Sequence, residues 1–83
     1  MSKVLVTLNV PTIEKQYNLW LPTNRKIYYI IKLMIQGINE LNDDYYKPKI
    51  FPVLYDKVTG KKYDMDDTIK EAEIKNGTEI ILI

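Results

Sequence analysis

The sequence predicts an α+β fold: a mixed four- to five-stranded sheet with one long helix packed across one face. Three observations carry this. Two alternating runs, KVLVTLNV and QYNLWL, stand close together near the start. The apolar period then lengthens from two to three or four through Ile27, Ile30, Ile31, Met34, Ile38 and Leu41. Finally, Asn76-Gly77 is a tight-turn pair feeding Thr78 to Ile83, a run rich in β-branched residues. A sheet covered on one side by one long helix is an α+β layer arrangement.

Each element has its own physical reason. In KVLVTLNV, Val4, Val6, Leu8 and Val10 share one face, while Leu5, Thr7 and Asn9 share the other; period two is the strand signal. Pro11 ends that strand. Tyr17, Leu19 and Leu21 alternate with Gln16, Asn18 and Trp20, so the two runs read as a hairpin with a connection longer than two residues. Pro22, Thr23 and Asn24 punctuate the chain, and Thr23 or Asn24 can cap the helix by accepting a free N–H. Tyr28, Leu33 and Ile35 widen the helical stripe, leaving that helix apolar over much of its circumference. Its charges oppose its dipole: Arg25 and Lys26 at the start, Glu40, Asp43 and Asp44 near the end. Each mismatch costs ~0.3–1 kcal/mol at an exposed site. Burying each stripe side chain returns roughly 1.5–3 kcal/mol, so packing decides. Gly37 either lets the helix approach the sheet closely or stands shortly before its end.

NDDYYKPK reads as a loop and IFPVLYD as a third strand, whose Pro52 places its start at an edge or a bulge. Gly60 turns KVTGKKY into a short fourth strand around Lys62 and Tyr63. Asp67 or Thr68 caps a short helical turn through TIKEAEI, and the last strand follows. The whole of 1–83 reads as one domain.

Composition narrows function. There is no cysteine, hence no disulfide or thiolate metal site, and no histidine, hence no imidazole ligand or ordinary general base near neutral pH. The net charge of +1 argues against a dedicated nucleic-acid binder. No apolar run approaches the ~20 residues that span a bilayer, which argues against membrane insertion. The first residues alternate instead of forming the apolar block of a signal peptide, and the lack of cysteine is compatible with a cytoplasmic protein.

The element order, with the ending TIKEAEIKNGTEIILI, resembles the ubiquitin-like β-grasp fold through Thr68-Ile69, Ala72, Ile74, Gly77, Ile80 and Leu82. The resemblance implies that the threonine opens a short turn and that the last strand inserts mid-sheet beside the first. Within that fold the chain resembles the small YukD/EsaB-type proteins of bacterial type VII secretion loci, through its length, Leu21-Pro22, and the finish Asn76, Gly77, Ile80 and Leu82. That resemblance implies an accessory or regulatory binding role in a secretion machine, with a protein partner and no cofactor. Ubiquitin-like modifiers and sulfur carriers use a Gly-Gly tail. No glycine follows Gly77 here, which disfavours that role. A carrier whose tail is absent from this chain stays as the alternative, beside a nucleic-acid-binding domain.

Three constellations invite sharper readings. DMDD (Asp64, Asp66, Asp67) fails the calcium-loop template: counted from Asp64, Ile69 stands where glycine is needed and Lys75 where the bidentate Glu is needed. It reads as a solvated turn. Catalysis is disfavoured, because no usual nucleophile–base pair exists without Cys or His. The aromatic-basic stretches YYKPK and KKY could stack on single strands, but the near-zero net charge favours side chains that cover the rim of a small core. Alternation sends Trp20 outward, with Leu5, Ile81 and Ile83 on the same side and Leu54 as a further member. These five form the expected partner-binding patch on the open sheet face, for a protein partner or for self-association of the chain.

Overall fold

The computed structural model describes residues 2–41 and 46–83. The expected loop at 42–49 lies partly outside them, as do the helix-end charges Asp43 and Asp44. The elements are β1 (Lys3–Val10), a 3-10 turn (Pro11–Ile13), β2 (Lys15–Pro22), α1 (Ile27–Leu41), β3 (Leu54–Asp56) and β4 (Glu79–Leu82). The sheet order is β2-β1-β4-β3. β1 pairs antiparallel with β2 and parallel with β4, and β3 pairs antiparallel with β4. The last strand therefore lies mid-sheet beside the first, as the resemblance implied.

The alternation read from the sequence sets the core. Val6, Leu8 and Val10 of β1, Leu21 of β2 and Ile80 and Leu82 of β4 are buried under Ile27, Ile30, Ile31, Met34 and Ile38 of α1. Ile69 and Ile74 are buried in the same core. The β1–β2 connection uses Glu14 in a left-handed conformation, φ 53°, with its N–H donating to the Pro11 carbonyl at 3.0 Å.

The capping of α1 differs from the expectation. Neither Thr23 nor Asn24 does it; the Thr23 hydroxyl donates to the Ser2 carbonyl at 3.3 Å. The first helical N–H groups, on Ile27 and Tyr28, donate to the carbonyls of Asp67 (2.8 Å) and Met65 (3.0 Å). A helix start leaves its first N–H groups without intrahelical partners. Here a loop some forty residues downstream supplies the acceptors. The same loop also donates in return, from the Ile69 N–H to the Arg25 carbonyl and from the Lys70 N–H to the Thr23 carbonyl.

Gly37 does not serve a close approach, since a Cβ there would meet nothing within 4 Å; the helix ends four residues after it, at Leu41. The third strand is shorter than 50–56: its ladder covers Leu54–Asp56, extended by reciprocal bonds between Val53 and Ile83. Pro52, with no N–H to donate, stands just before it. The expected fourth strand reduces to one bridge, Tyr55 to Lys62. The turn through TIKEAEI forms without becoming a helix. Thr68 and Glu71 exchange bonds reciprocally, N–H to carboxylate at 2.8 Å and N–H to hydroxyl at 3.0 Å, and Glu73 at φ 59° closes the turn.

Candidate protein-interaction site

Two surfaces stand out: the sheet face away from α1, and a groove between β2 and α1. The register assigns the outer face. Leu5 sits opposite Trp20, Thr7 opposite Asn18 and Glu79, and Asn9 opposite Gln16 and Ile81, which in turn faces Tyr55. Trp20 is 61% exposed and Ile83 57%, Leu5 is exposed, and Ile81 is half-buried.

Four of the five expected patch residues thus lie away from the core, but they form two groups. Leu5 and Trp20 are cross-strand neighbours at one corner. Ile81 shares its row with Asn9 and Gln16, and the polar row of Thr7 and Asn18 separates it and Ile83 from Leu5 and Trp20. Leu54 does not belong to the patch at all. It is 0% exposed and pairs with buried Leu82, so the register turns it into the core and puts Tyr55 outside. Sequence alternation could not decide this, because β3 is only three residues long and its phase is set by β4.

The groove was not foreseen. It has a cavity volume of about 210 Å³. Leu19, Leu21 and Trp20 line it from β2, and Leu33, Met34 and Leu41 from α1. Leu33 is 42% and Leu41 71% exposed, so apolar side chains reach solvent along the helix side of this groove. The signal was present in the sequence: Leu33 widened the helical stripe beyond what one sheet face covers. The absence of a side chain at Gly37 keeps the middle of the groove open.

The polar chemistry lies elsewhere. Asp56 accepts N–H bonds from Val58 (2.8 Å) and Thr59 (3.0 Å) and the Tyr63 hydroxyl (3.1 Å). The Thr59 N–H foremost holds its carboxyl below the ordinary value. Burial, and then the Asp56 carboxylate, push Tyr63 up to about 12. The Thr68 N–H holds Glu71 low. These are turn-closing contacts near β3 and the 68–74 turn. Asp64 accepts the Asp66 N–H at 2.9 Å, which makes DMDD a turn. Among the described residues no group of three carboxylates gathers as a metal site. Among them also no helix is long and apolar enough to cross a membrane.

No protein-family model matches the chain, and no curated protein matches it. Solved structures do. The chain superimposes on the ubiquitin-like domain of EccD5 from Mycobacterium xenopi with a TM-score of 0.81 at 16% identity, covering 100% of this chain and 94% of that one. The ubiquitin-like domain of EccD1, a type VII secretion system protein of Mycobacterium tuberculosis, gives 0.77 at 15% identity, with 100% and 99% covered. A chain of the toluene 4-monooxygenase HD complex gives 0.80 at 11% identity, with 98% and 96% covered. The chain therefore has the ubiquitin-like β-grasp fold, resembling domains of secretion-system proteins. At these identities the likeness speaks for the fold, which serves more than one function.

Proposed function

We propose that this domain is a non-enzymatic protein-interaction module with an accessory or regulatory role in a bacterial type VII secretion system, of the YukD/EsaB type, working at the cytoplasmic side. The observation that carries this reading is the end-to-end correspondence with the EccD ubiquitin-like domains. The polar groups of the described chain support it. They close turns and do not converge on a cleft. Its partner surface is the outer sheet face, with Trp20 and Leu5 as the anchor and Ile81 and Ile83 as a second contact. Trp20 suits that role, since exposed aromatics supply much of the binding energy at interfaces.

The test is affinity purification of the tagged chain from a bacterium that carries such a system, with captured proteins identified by mass spectrometry. A component of the type VII machinery is expected. Trp20→Ala should weaken its binding by roughly thirtyfold or more, the loss expected when an anchor is truncated. Ile81→Asp should weaken it too. Normal export by the type VII route in cells lacking the chain would sink the proposal.

A further inference from the structure

We propose that a second copy of this chain adds to the free edge of β2, antiparallel, about a twofold axis at Asn18, making one continuous sheet of eight strands.

The Leu5 N–H donates to Asn76 Oδ1 at 2.7 Å and the Thr7 N–H to the Thr78 carbonyl at 3.1 Å, so both point away from β2. Directions alternate along a strand, so Val4, Val6, Leu8 and Val10 face β2 and bond with Leu21, Leu19, Tyr17 and Lys15. Gln16, Asn18 and Trp20 then direct their N–H and C=O groups outward. β2 is an end strand of the sheet, and no strand covers that side among the described residues. Natural edges are usually blunted by charges, bulges or brevity. This edge runs eight residues, with Lys15 its one charged residue and Pro22 at its end.

The register follows. Outward-facing residues must oppose outward-facing residues. With Asn18 opposite itself, Gln16 meets Trp20 of the other copy on both sides of the axis. All three outward residues then join the ladder, for about six new hydrogen bonds. A shift by two in one direction sets Gln16 opposite Pro22, which has no N–H. A shift in the other sets Trp20 opposite Glu14, whose left-handed backbone, φ 53°, lies outside the strand. One register uses the whole edge.

The side chains agree with it. On the helix side Tyr17 lies opposite Leu19 of the other copy, and Lys15 opposite Leu21. No like charges face each other, and aromatic–aliphatic cross-strand pairs are favourable. A strand added here must present apolar side chains at every second position toward the groove that Leu33 and Leu41 line. β2 is itself such a strand, with half-buried Tyr17 and Leu19 on that side and Leu21 buried in its own core. Edge and groove are therefore self-complementary, and this favours a second copy over a foreign strand. Trp20 of both copies stays on the outer face, which the pairing doubles.

The chain has no cysteine, so Asn18→Cys reports on the axis alone. In a hydrogen-bonded antiparallel pair the Cα atoms lie about 5.5 Å apart. That separation is within the ~4.4–6.8 Å a disulfide spans. Under mild oxidation Asn18→Cys should form a covalent dimer at least ~10 times faster than Lys62→Cys, placed on the opposite edge. Sedimentation of the unmodified chain should show a reversible dimer. Leu33→Glu, with an unchanged circular dichroism spectrum, should weaken that dimer by roughly tenfold or more, because its carboxylate meets the incoming apolar strand. A chain that stays monomeric up to ~1 mM, or equal cross-linking at the two edges, would overturn the proposal. So would edge pairing that arises only when a secretion component is added, since the occupant would then be a foreign strand.

Discussion

The two edges of the sheet are built in opposite ways. The β3 edge is short and closed. Its three-residue ladder is followed by a turn in which Asp56 gathers the N–H groups of Val58 and Thr59, and the chain returns so that Asp56 N–H reaches the Lys61 carbonyl and Tyr63 N–H the Leu54 carbonyl. The β2 edge is long and open, with apolar side chains behind it and no returning segment among the described residues. One edge is terminated by local hydrogen bonds; the other is left available. The lesson is that a small sheet can guard one side and offer the other, and that side chains alone do not reveal which.

The two edges should differ most at their apolar anchors. Leu54→Ala, at the buried start of β3, should cost about 2–5 kcal/mol in urea unfolding, the range for truncating a core leucine. Trp20→Ala on the opposite edge should stay within ~0.5 kcal/mol when measured on the monomer, because its side chain is largely in solvent. Equal costs at the two sites would erase the distinction.

Two glycines should respond to substitution with opposite signs. Gly60 turns the β3 edge with φ +76°, where a Cβ is strained, so Gly60→Ala should lower stability by about 1–2 kcal/mol. Gly37 sits within α1 at the groove with open space around it, so Gly37→Ala should raise stability by about 1 kcal/mol through helix propensity. Thermal or urea unfolding of the pair checks the opposite signs.

The closed edge should also be pH-sensitive. Tyr63 has its folded pKa raised from 10.0 to about 12, so its contribution is complete below pH 10 and is lost as pH rises toward 12. Tyr63→Phe should flatten the stability profile in that window; buried Tyr46, also raised, adds to the same slope. Asp56 is lowered, so its contribution is present above the ordinary carboxylate value and lost as pH falls through the folded one. Asp56→Asn should reduce the acid-side slope of the same profile. Trp20 and Gln16 do not titrate, so substitutions at the open edge should leave both branches unchanged.

The smallest effect belongs to the one surface ion pair between the edge turn and β4. Lys57 and Glu79 meet at 3.7 Å with both side chains about half exposed. Lys57→Gln should change stability by no more than ~0.5 kcal/mol and by less in high salt.

Several elements were legible in the sequence because their signals are local. The hairpin, the helix at Ile27–Leu41 and the exposure of Trp20 follow from period and alternation. Leu54 was misplaced because a three-residue strand carries too little pattern to fix its phase. The helix cap was misplaced because its acceptors, the Met65 and Asp67 carbonyls, are backbone groups brought from a distant loop, and no side-chain motif announces them. The patch expected on one face divided in two because alternation says which face a residue takes but not which row.

The faces follow from the sequence alone: which side chains of β1, β2, α1 and β4 enter the core, and which fold that pattern resembles. Period and composition act over a few residues and need no partner strand. The tertiary structure decided the rows and the edges. Strand order placed β2 outside with its groove, the β4 register buried Leu54, and the 65–70 loop capped α1. These depend on hydrogen bonds between segments far apart in the chain, whose partners are fixed only when the helix and sheet close on their common core.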